Sequence, residues 1–352
     1  MEQISTITGF LESSGARLHF FDMGRRVEMI SRDRFLEFEQ TAIPYPYPLQ
    51  QQAWFALQLQ DKGRLQEPLI WFLRLPLDEQ GKLLQAARDD FMHRLIERIG
   101  EQLQAENEGQ QLESALQDNP YSFKPKDDRM ALFHARVSRL LNLPPSRFYA
   151  HARDYFSGEP GWEQWSFVGY QGIADLACRL DQDDNEAGVT RAIAAMPAQP
   201  LIALCHCLES ATLSPRVTQA LLERADQELR QSSPDPAVLA AAIRGSARSE
   251  SAPLQRKLIS HILDSLPGND IEILSAVSGR AWEQLLDAGI CNLFLERLAE
   301  NSAGQSAFNL CMADLLYLPG MRQPVLAAMR DPNRSERLSG AIGALFQGVT
   351  RQ

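Results

Sequence analysis

Cys205-His206-Cys207 is the segment whose residue types most resemble a metal site. Thiolate and imidazole groups are the ligands that zinc prefers in proteins. Neighbouring residues on a helix point about 100° apart, however, so the three side chains would not face one ion. No second cluster of Cys and His lies nearby in the sequence. We therefore interpret the two cysteines as buried core residues and expect neither a metal ion nor a cofactor.

The signatures of common catalytic sites are absent from the sequence. It contains no phosphate-binding G-x-x-x-x-G-K-[ST] or G-x-G-x-x-G loop, no G-x-S-x-G elbow and no His-Glu-x-x-His pair. Acidic residues such as Asp22, Asp33, Glu37 and Glu39 could still meet in space. Glu37 and Glu39 would diverge on a helix, so a solvated surface is the simpler interpretation. We assign no catalytic residue.

The segment from residue 43 to residue 55 is more distinctive, because prolines alternate with Tyr45 and Tyr47 and Trp54 follows. Prolines keep the backbone extended, and protruding rings would then form an interaction surface. A connector whose tyrosines pack on a sheet is an equally good interpretation.

A small group of arginines precedes this segment. The basic residues and the acidic residues that partly offset them are Arg25, Arg26, Arg32, Arg34, Asp22, Glu28 and Asp33. As a nucleic-acid footprint the group is weak, since a formal net charge of −10 repels phosphate at long range. The residues that we propose for binding are Asp22, Arg25, Arg26, Tyr45, Tyr47 and Trp54.

The first half of the chain carries short strand signals. Residues 17–22 and 26–30 are rich in β-favouring side chains and flank Met23-Gly24-Arg25, which predicts a hairpin. Residues 53–58 and 69–75 have the same character. A second strand pair is therefore predicted.

Helical patterns surround these strands. Apolar residues repeat at helical spacing up to Ser13-Ser14-Gly15 and again from Leu83 to Ile99, where Asp78 is a candidate N-cap. Asp61-Lys62-Gly63 supplies turn chemistry within the second strand pair. We predict a small α+β domain over residues 1–127, in which an antiparallel sheet is flanked by helices.

In the second half the strand signals disappear and prolines mark the starts of helices. Pro200, Pro215, Pro236 and Pro253 each open an apolar-periodic run, where the amide that proline lacks would be unpaired anyway. Pro236 follows Pro200 by 36 residues, and Pro253 follows Pro215 by 38. A pair of helices thus recurs at a nearly constant period.

This period is typical of two-helix solenoids, in which short helices bury their apolar faces by stacking. Ser214 and Asp235 precede two of the prolines and are predicted N-caps. An irregular helical bundle is the alternative. We therefore predict a mostly α protein, with a helical connector over residues 128–160 and a HEAT-like α-solenoid or irregular helical bundle over residues 161–352.

The bulk properties fit a folded protein of more than one domain, with 352 residues, 44% of them hydrophobic and 23% charged. No apolar run approaches the roughly 18 residues of a membrane span. The N-terminus lacks the features of a secretory signal, and the five cysteines form no disulfide framework. We expect a cytoplasmic protein that does not enter a membrane.

Three segments carry a resemblance to a known family, namely Phe21 to Val27, Tyr45 to Trp54 and Trp71 to Gln80. Through them the chain resembles a proteobacterial family of full-length proteins that is defined as a domain of unknown function. The resemblance implies a bacterial cytoplasmic protein. It carries no activity and no catalytic residues.

Paired helices without catalytic motifs favour a non-catalytic binding or adaptor protein, which engages a macromolecular partner through its N-terminal domain and its helical array. A protein is the expected partner, and the net charge disfavours nucleic acid. The alternative is an enzyme or nucleic-acid-processing factor. Its dispersed site would lie in the N-terminal domain and use residues such as Asp22, Arg25 and Arg26.

Overall fold

The computed structural model describes residues 6–13, 15–60, 69–103, 116, 119–159 and 161–349. The chain divides into two compact units, Met1–Lys126 with Tyr317–Pro319, and Asp127–Leu316 with Gly320–Gln352. The four-stranded sheet lies in the first unit, and the second unit is built from helices. The predicted class, a mostly α protein with a small N-terminal antiparallel sheet, is confirmed.

The sheet of the first unit contains β1 (Arg17–Asp22), β2 (Glu28–Ile30), β3 (Gln52–Gln60) and β4 (Leu69–Pro76). Their order is β2-β1-β3-β4, and each neighbouring pair is antiparallel. Both predicted strand pairs are confirmed. The pairing of β1 with β3 joins the two pairs into one sheet, and no local sequence pattern indicates it.

Three helices cover the apolar face of this sheet, namely α1 (Ile7–Glu12), α2 (Arg32–Glu39) and α3 (Gln85–Leu103). Alternation along the strands places Phe20 and Phe55 on this face, where both are buried. Phe35 of α2 stacks on Phe20, with the ring centroids 4.0 Å apart. The core of the first unit is therefore an aromatic layer between the sheet and its helices.

The helix after β4 begins later than predicted. Asp78 is not its N-cap, since α3 starts at Gln85. The Asp78 carboxylate instead accepts hydrogen bonds from the amides of Gln80 and Lys82, at 2.8 and 2.9 Å. An aspartate bonds downstream amides equally well in a turn and at a helix start, so the sequence does not distinguish the two. The turn predicted at residues 61–63 lies outside the described residues.

The other α-helices of the described residues follow along the chain. They are α4 (Asp127–Leu140), α5 (Tyr149–Ser157), α6 (Tyr170–Ala177), α7 (Asn185–Ala195), α8 (Ala198–Leu208), α9 (Pro215–Leu229), α10 (Pro236–Gly245), α11 (Ala252–Asp264), α12 (Ile271–Arg280), α13 (Ala288–Ala299), α14 (Gly304–Tyr317), α15 (Arg322–Met329) and α16 (Glu336–Val349). None of the described helices combines the length and the hydropathy that crossing a bilayer requires.

Most helices of the second unit pack on their second neighbour along the chain, which produces two rows. The even row consists of α4, α6, α8, α10 and α12, each in contact with the next. The odd row runs in the same way from α5 through α7, α9, α11 and α13 to α15. Helices of this length are marginal alone in water, so this packing is what stabilises them.

The predicted helix starts are confirmed in this unit. Ser214 and Asp235 cap α9 and α10, since their side chains accept hydrogen bonds from amides of the first turn. Proline lies within the first three residues of four successive helices, at Pro200, Pro215, Pro236 and Pro253. Local sequence therefore sets where these helices begin.

Candidate functional site

The residues predicted for binding come together in the first unit, but most of them are buried. Asp22 and Tyr45 are fully buried, and Arg25 and Arg26 are each 1% exposed. The Tyr45 hydroxyl donates to Asp22 Oδ1 at 2.9 Å. Burial, followed by the charge of Asp22, raises the pKa of Tyr45 well above its ordinary value. Tyr45 is thus a neutral hydrogen-bond donor.

Asp22 organises the loop between β1 and β2. Its carboxylate also accepts hydrogen bonds from the amides of Gly24 and Arg26, at 3.3 and 2.8 Å. Donors that include two backbone groups of the loop itself therefore converge on one buried carboxylate. This is the pattern of a group that holds a fold together.

The Pro/Tyr segment is fastened to the same loop. Arg25 Nε donates to the carbonyl of Pro48 at 2.7 Å, and Trp54 Nε1 donates to the carbonyl of Leu49 at 3.1 Å. Tyr47 is half-buried, and burial raises the pKa of its hydroxyl. Of the two interpretations of this segment, the connector packed on the sheet describes what the structure contains.

Glu37 and Glu39 diverge on α2, as predicted. Of the two, only Glu37 lies on a solvated surface. Glu39 is buried, and its carboxylate accepts hydrogen bonds from the amides of Ile7 and Thr8 at the start of α1. Burial raises the pKa of Glu39, and these hydrogen bonds oppose the rise. The prediction is wrong for Glu39 because the docking of α1 on α2 is not visible in the sequence.

A different buried carboxylate, Glu209, lies at the C-terminal end of α8 in the second unit and is 1% exposed. Three arginines surround it. Arg129 Nη2 lies 3.1 Å from its Oε1, while Arg244 Nη2 and Arg280 Nε lie 2.8 and 3.0 Å from its Oε2. These arginines come from α4, α10 and α12, which are all helices of the even row.

Electrostatics explains why one carboxylate needs several arginines here. A negative side chain at the C-terminal end of a helix faces the negative end of the helix dipole. Burial also opposes ionisation of Glu209, but Arg280, Arg129 and Arg244 outweigh it and lower the pKa of Glu209 to about 2. Glu209 is therefore ionised at neutral pH.

Arg244 and Arg280 also line a surface cavity of about 240 Å³. The other lining residues are His206, Ala237, Ala240, Ala241, Glu272, Ser275 and Ala276. Pockets that enclose drug-sized ligands measure roughly 300–1,000 Å³. This cavity is smaller, and it suits an inserted side chain or a small anion. We take it as the candidate site.

Among the residues that line this cavity, His206 carries an imidazole ring whose charge depends on its pKa. Burial, and then the charge of Arg244, lower the pKa of His206 to about 4, so the imidazole is neutral at pH 7. Its neighbours Cys205 and Cys207 are fully buried. Across the part of the chain that the structure describes, no three His, Cys, Asp or Glu side chains are grouped as metal ligands would be.

Sequence analysis missed this cluster, although a signal for it exists. Glu209 precedes Arg244 by 35 residues and Arg280 by 71, which is one period and two periods of the proline-marked helices. One structural position therefore recurs in three successive even-row helices. A search for charged residues at the proline period would have found all three, but not that Glu209 is buried.

The fold and the site together define a mostly helical protein with an N-terminal α+β unit and an arginine-bearing cavity in its helical unit. The chain belongs to the family described as protein of unknown function (DUF3549), which it matches over residues 2–346. The resemblance found in the sequence is thereby confirmed. No curated protein and no solved structure matches the chain.

Proposed function

We propose that this protein is a non-catalytic binding or adaptor protein whose even row of helices engages a protein partner. The observation that carries the proposal is the placement of Arg244 and Arg280. Both line a surface cavity, and both belong to a cluster in which three arginines meet the single carboxylate of Glu209. Positive groups held in position at a surface cavity favour acidic groups of a partner and suppress binding of basic ones.

The packing of the helices supports a more specific proposal, that the helical unit is a HEAT-like α-solenoid. In such an array each helix pair contacts its neighbours, and one row of helices forms an extended binding surface. The recurrence of Glu209, Arg244 and Arg280 at the helix-pair period fits this architecture. We place the binding function in the bacterial cytoplasm, as the sequence predicts.

The alternative is an enzyme or nucleic-acid-processing factor with a site in the first unit. The convergence of Asp22, Arg25 and Arg26 supports it. A catalytic group must come within hydrogen-bond reach of its substrate, however. Asp22 is fully buried and already accepts three hydrogen bonds from its own unit. We therefore rank this alternative second.

Site-specific photo-crosslinking tests the proposal. A benzophenone amino acid replaces Ser275, an exposed residue that lines the cavity on α12. The matched control carries the same group at Lys257, an exposed residue on α11 in the odd row. The full chain is irradiated in cells that express it naturally, and adducts are separated by mass.

We expect a discrete protein adduct from position 275 that is absent from position 257. The adduct should weaken when Arg244→Gln is added, because the variant removes a positive charge from the cavity. No adduct at position 275, or the same adducts at both positions, would overturn the proposal.

A further inference from the structure

Two neighbouring helices of the even row present matching faces to the cavity. From α10 these are Ala237, Ala240, Ala241 and Arg244, and from α12 they are Glu272, Ser275, Ala276 and Arg280. Spacings of three, four and seven or eight residues lie on one side of a helix. The cavity is therefore a groove between two helices, and it is about two helical turns long.

The two ends of this groove carry opposite charges. Arg244 and Arg280 lie in the last turns of α10 and α12, where both contact Glu209. Glu272 lies in the first turn of α12 and is exposed. Eight residues at a rise of 1.5 Å separate Glu272 from Arg280 by about 12 Å along the helix. The groove thus has a cationic end and an anionic end.

The floor between these ends is apolar and small. Ala240, Ala241 and Ala276 are buried. The floor is also held firmly, since a Cβ added at Gly245, the last residue of α10, would lie 3.0 Å from Cys205 Sγ of α8. Because alanine side chains are small, they leave open the space between the two helices that forms the cavity.

We propose that this groove binds a segment of a partner protein that carries an acidic side chain at one end and a basic side chain about 12 Å away. The carboxylate of the segment approaches Arg244 and Arg280, whose positive charges attract it while both arginines also contact Glu209. The basic side chain pairs with Glu272. The inference rests on the proposed function and specifies the chemistry of the partner.

Charge favours this dipolar segment over a purely acidic one. Glu272 repels a second negative charge at its end of the groove, and the whole chain carries a formal net charge of −10. The spacing corresponds to about eight residues of a helix or to about four residues of an extended strand. A helix that lays one face into the groove meets both ends without bending.

Two fluorescent alanine-based peptides test the proposal against the full chain by fluorescence anisotropy at low ionic strength. The dipolar peptide has three glutamates, six alanines and three lysines, whose charged blocks are about 13 Å apart when helical. The acidic peptide has glutamates in place of the lysines. The variants are Arg244→Gln, Glu272→Gln and, as the matched control, Arg216→Gln, which removes an exposed charge from α9 in the odd row.

We expect the dipolar peptide to bind more tightly than the acidic one. Arg244→Gln should weaken both by about tenfold, because it removes the partner of the carboxylate. Glu272→Gln should act with opposite signs, weakening the dipolar peptide and strengthening the acidic one, each by about twofold to fivefold. Arg216→Gln should change neither.

The opposite effects of Glu272→Gln on the two peptides distinguish a change of charge from misfolding. An exposed Glu→Gln substitution leaves the fold intact, and a structural defect would change the affinity for both peptides in the same direction. Absence of dipolar-peptide binding by the wild-type chain, or equal effects of Arg216→Gln and Arg244→Gln, overturns the inference. If the dipolar peptide does not bind while the crosslink at position 275 forms, the proposed binding function is supported and only the dipolar chemistry of the partner is wrong. If the crosslink does not form while the peptide binds, the proposal of a protein partner in the cell is wrong instead.

Discussion

Both units of this protein bury a carboxylate, and they satisfy it in opposite ways. Asp22 in the first unit receives hydrogen bonds from a tyrosine hydroxyl and two amides, all within 23 residues of it in the sequence. Glu209 in the second unit is met by guanidinium groups of helices that are separated along the chain. Groups that are close in sequence contribute to the site of Asp22, whereas charged groups that are distant in sequence meet at Glu209.

The two clusters also differ in their access to a surface cavity. The donors on Asp22 hold a loop and the Pro/Tyr segment, and their polar groups are buried. The arginines on Glu209 also stabilise a buried charge, but two of them reach a surface cavity as well. The proposed binding function therefore rests on charged groups at a cavity, and not on a convergence of polar residues alone.

The largest effect is expected from Glu209→Gln. The variant keeps the size of the side chain but leaves three arginines around an uncharged group. Breaking a buried ion pair by removing one partner costs about 3–5 kcal/mol of the free energy of unfolding. Urea unfolding followed by circular dichroism measures it, with Glu272→Gln as an exposed control expected within about 0.5 kcal/mol. Equal stabilities of the two variants would contradict the role given to Glu209.

The free energy of unfolding at acid pH should also depend on the Glu209 carboxylate. The pKa of Glu209 is about 2 in the folded chain against an ordinary value of 4.5. A lowered pKa stabilises the fold fully above the unfolded value, so the contribution should disappear as the pH falls from about 4.5 through 2. The expected loss is about 3 kcal/mol, measured by urea unfolding at a series of pH values.

His206 supplies the control for this titration. The pKa of His206 is lowered to about 4, so as the pH falls the unfolded chain binds a proton on this ring before the folded chain does. The part of the stability loss that His206 causes therefore occurs between about pH 6.5 and 4. Glu209→Gln should reduce the loss of stability mainly in the lower range, and His206→Gln mainly in the upper range. An unchanged profile in Glu209→Gln would count against an ionised, arginine-paired Glu209.

A smaller effect is expected from Tyr45→Phe in the first unit. The variant removes the tyrosine donor to Asp22 and leaves the acceptor buried, at a cost of about 1–2 kcal/mol in the free energy of unfolding. It should leave the crosslink at position 275 unchanged, whereas Arg244→Gln should weaken that crosslink. Loss of the crosslink in folded Tyr45→Phe would remove the distinction between the two clusters.

The smallest effect is expected at a helix cap of the second unit. Ser214→Ala removes the side-chain acceptor at the start of α9 and should cost about 1 kcal/mol. Ser232→Ala, an exposed serine in the loop before α10, is the matched control and should change stability by less than about 0.5 kcal/mol. Peptide binding should be the same in both variants, because neither residue lines the groove.

The candidate site shows how far prediction from the sequence reached. The strand pairs, the proline-marked helices and the caps at Ser214 and Asp235 rest on contacts within a few residues, and the structure confirms them. The groups around Glu209 come from residues 129, 244 and 280, so their meeting depends on how successive helices pack. The predicted binding residues around Asp22 do meet, but their burial makes them part of the loop that they hold.

Family membership, the mostly helical class and the proline-marked helix starts of the second unit were determined by the sequence alone, because residue order, apolar periodicity and capping act over short distances. The tertiary structure decided which polar residues are buried and which charges face a cavity. Those properties depend on neighbours tens of residues away, as the 35-residue separation of Glu209 and Arg244 illustrates. The sequence contains the period at which these charged residues recur, but the packing of the helices brings their side chains together beside a groove.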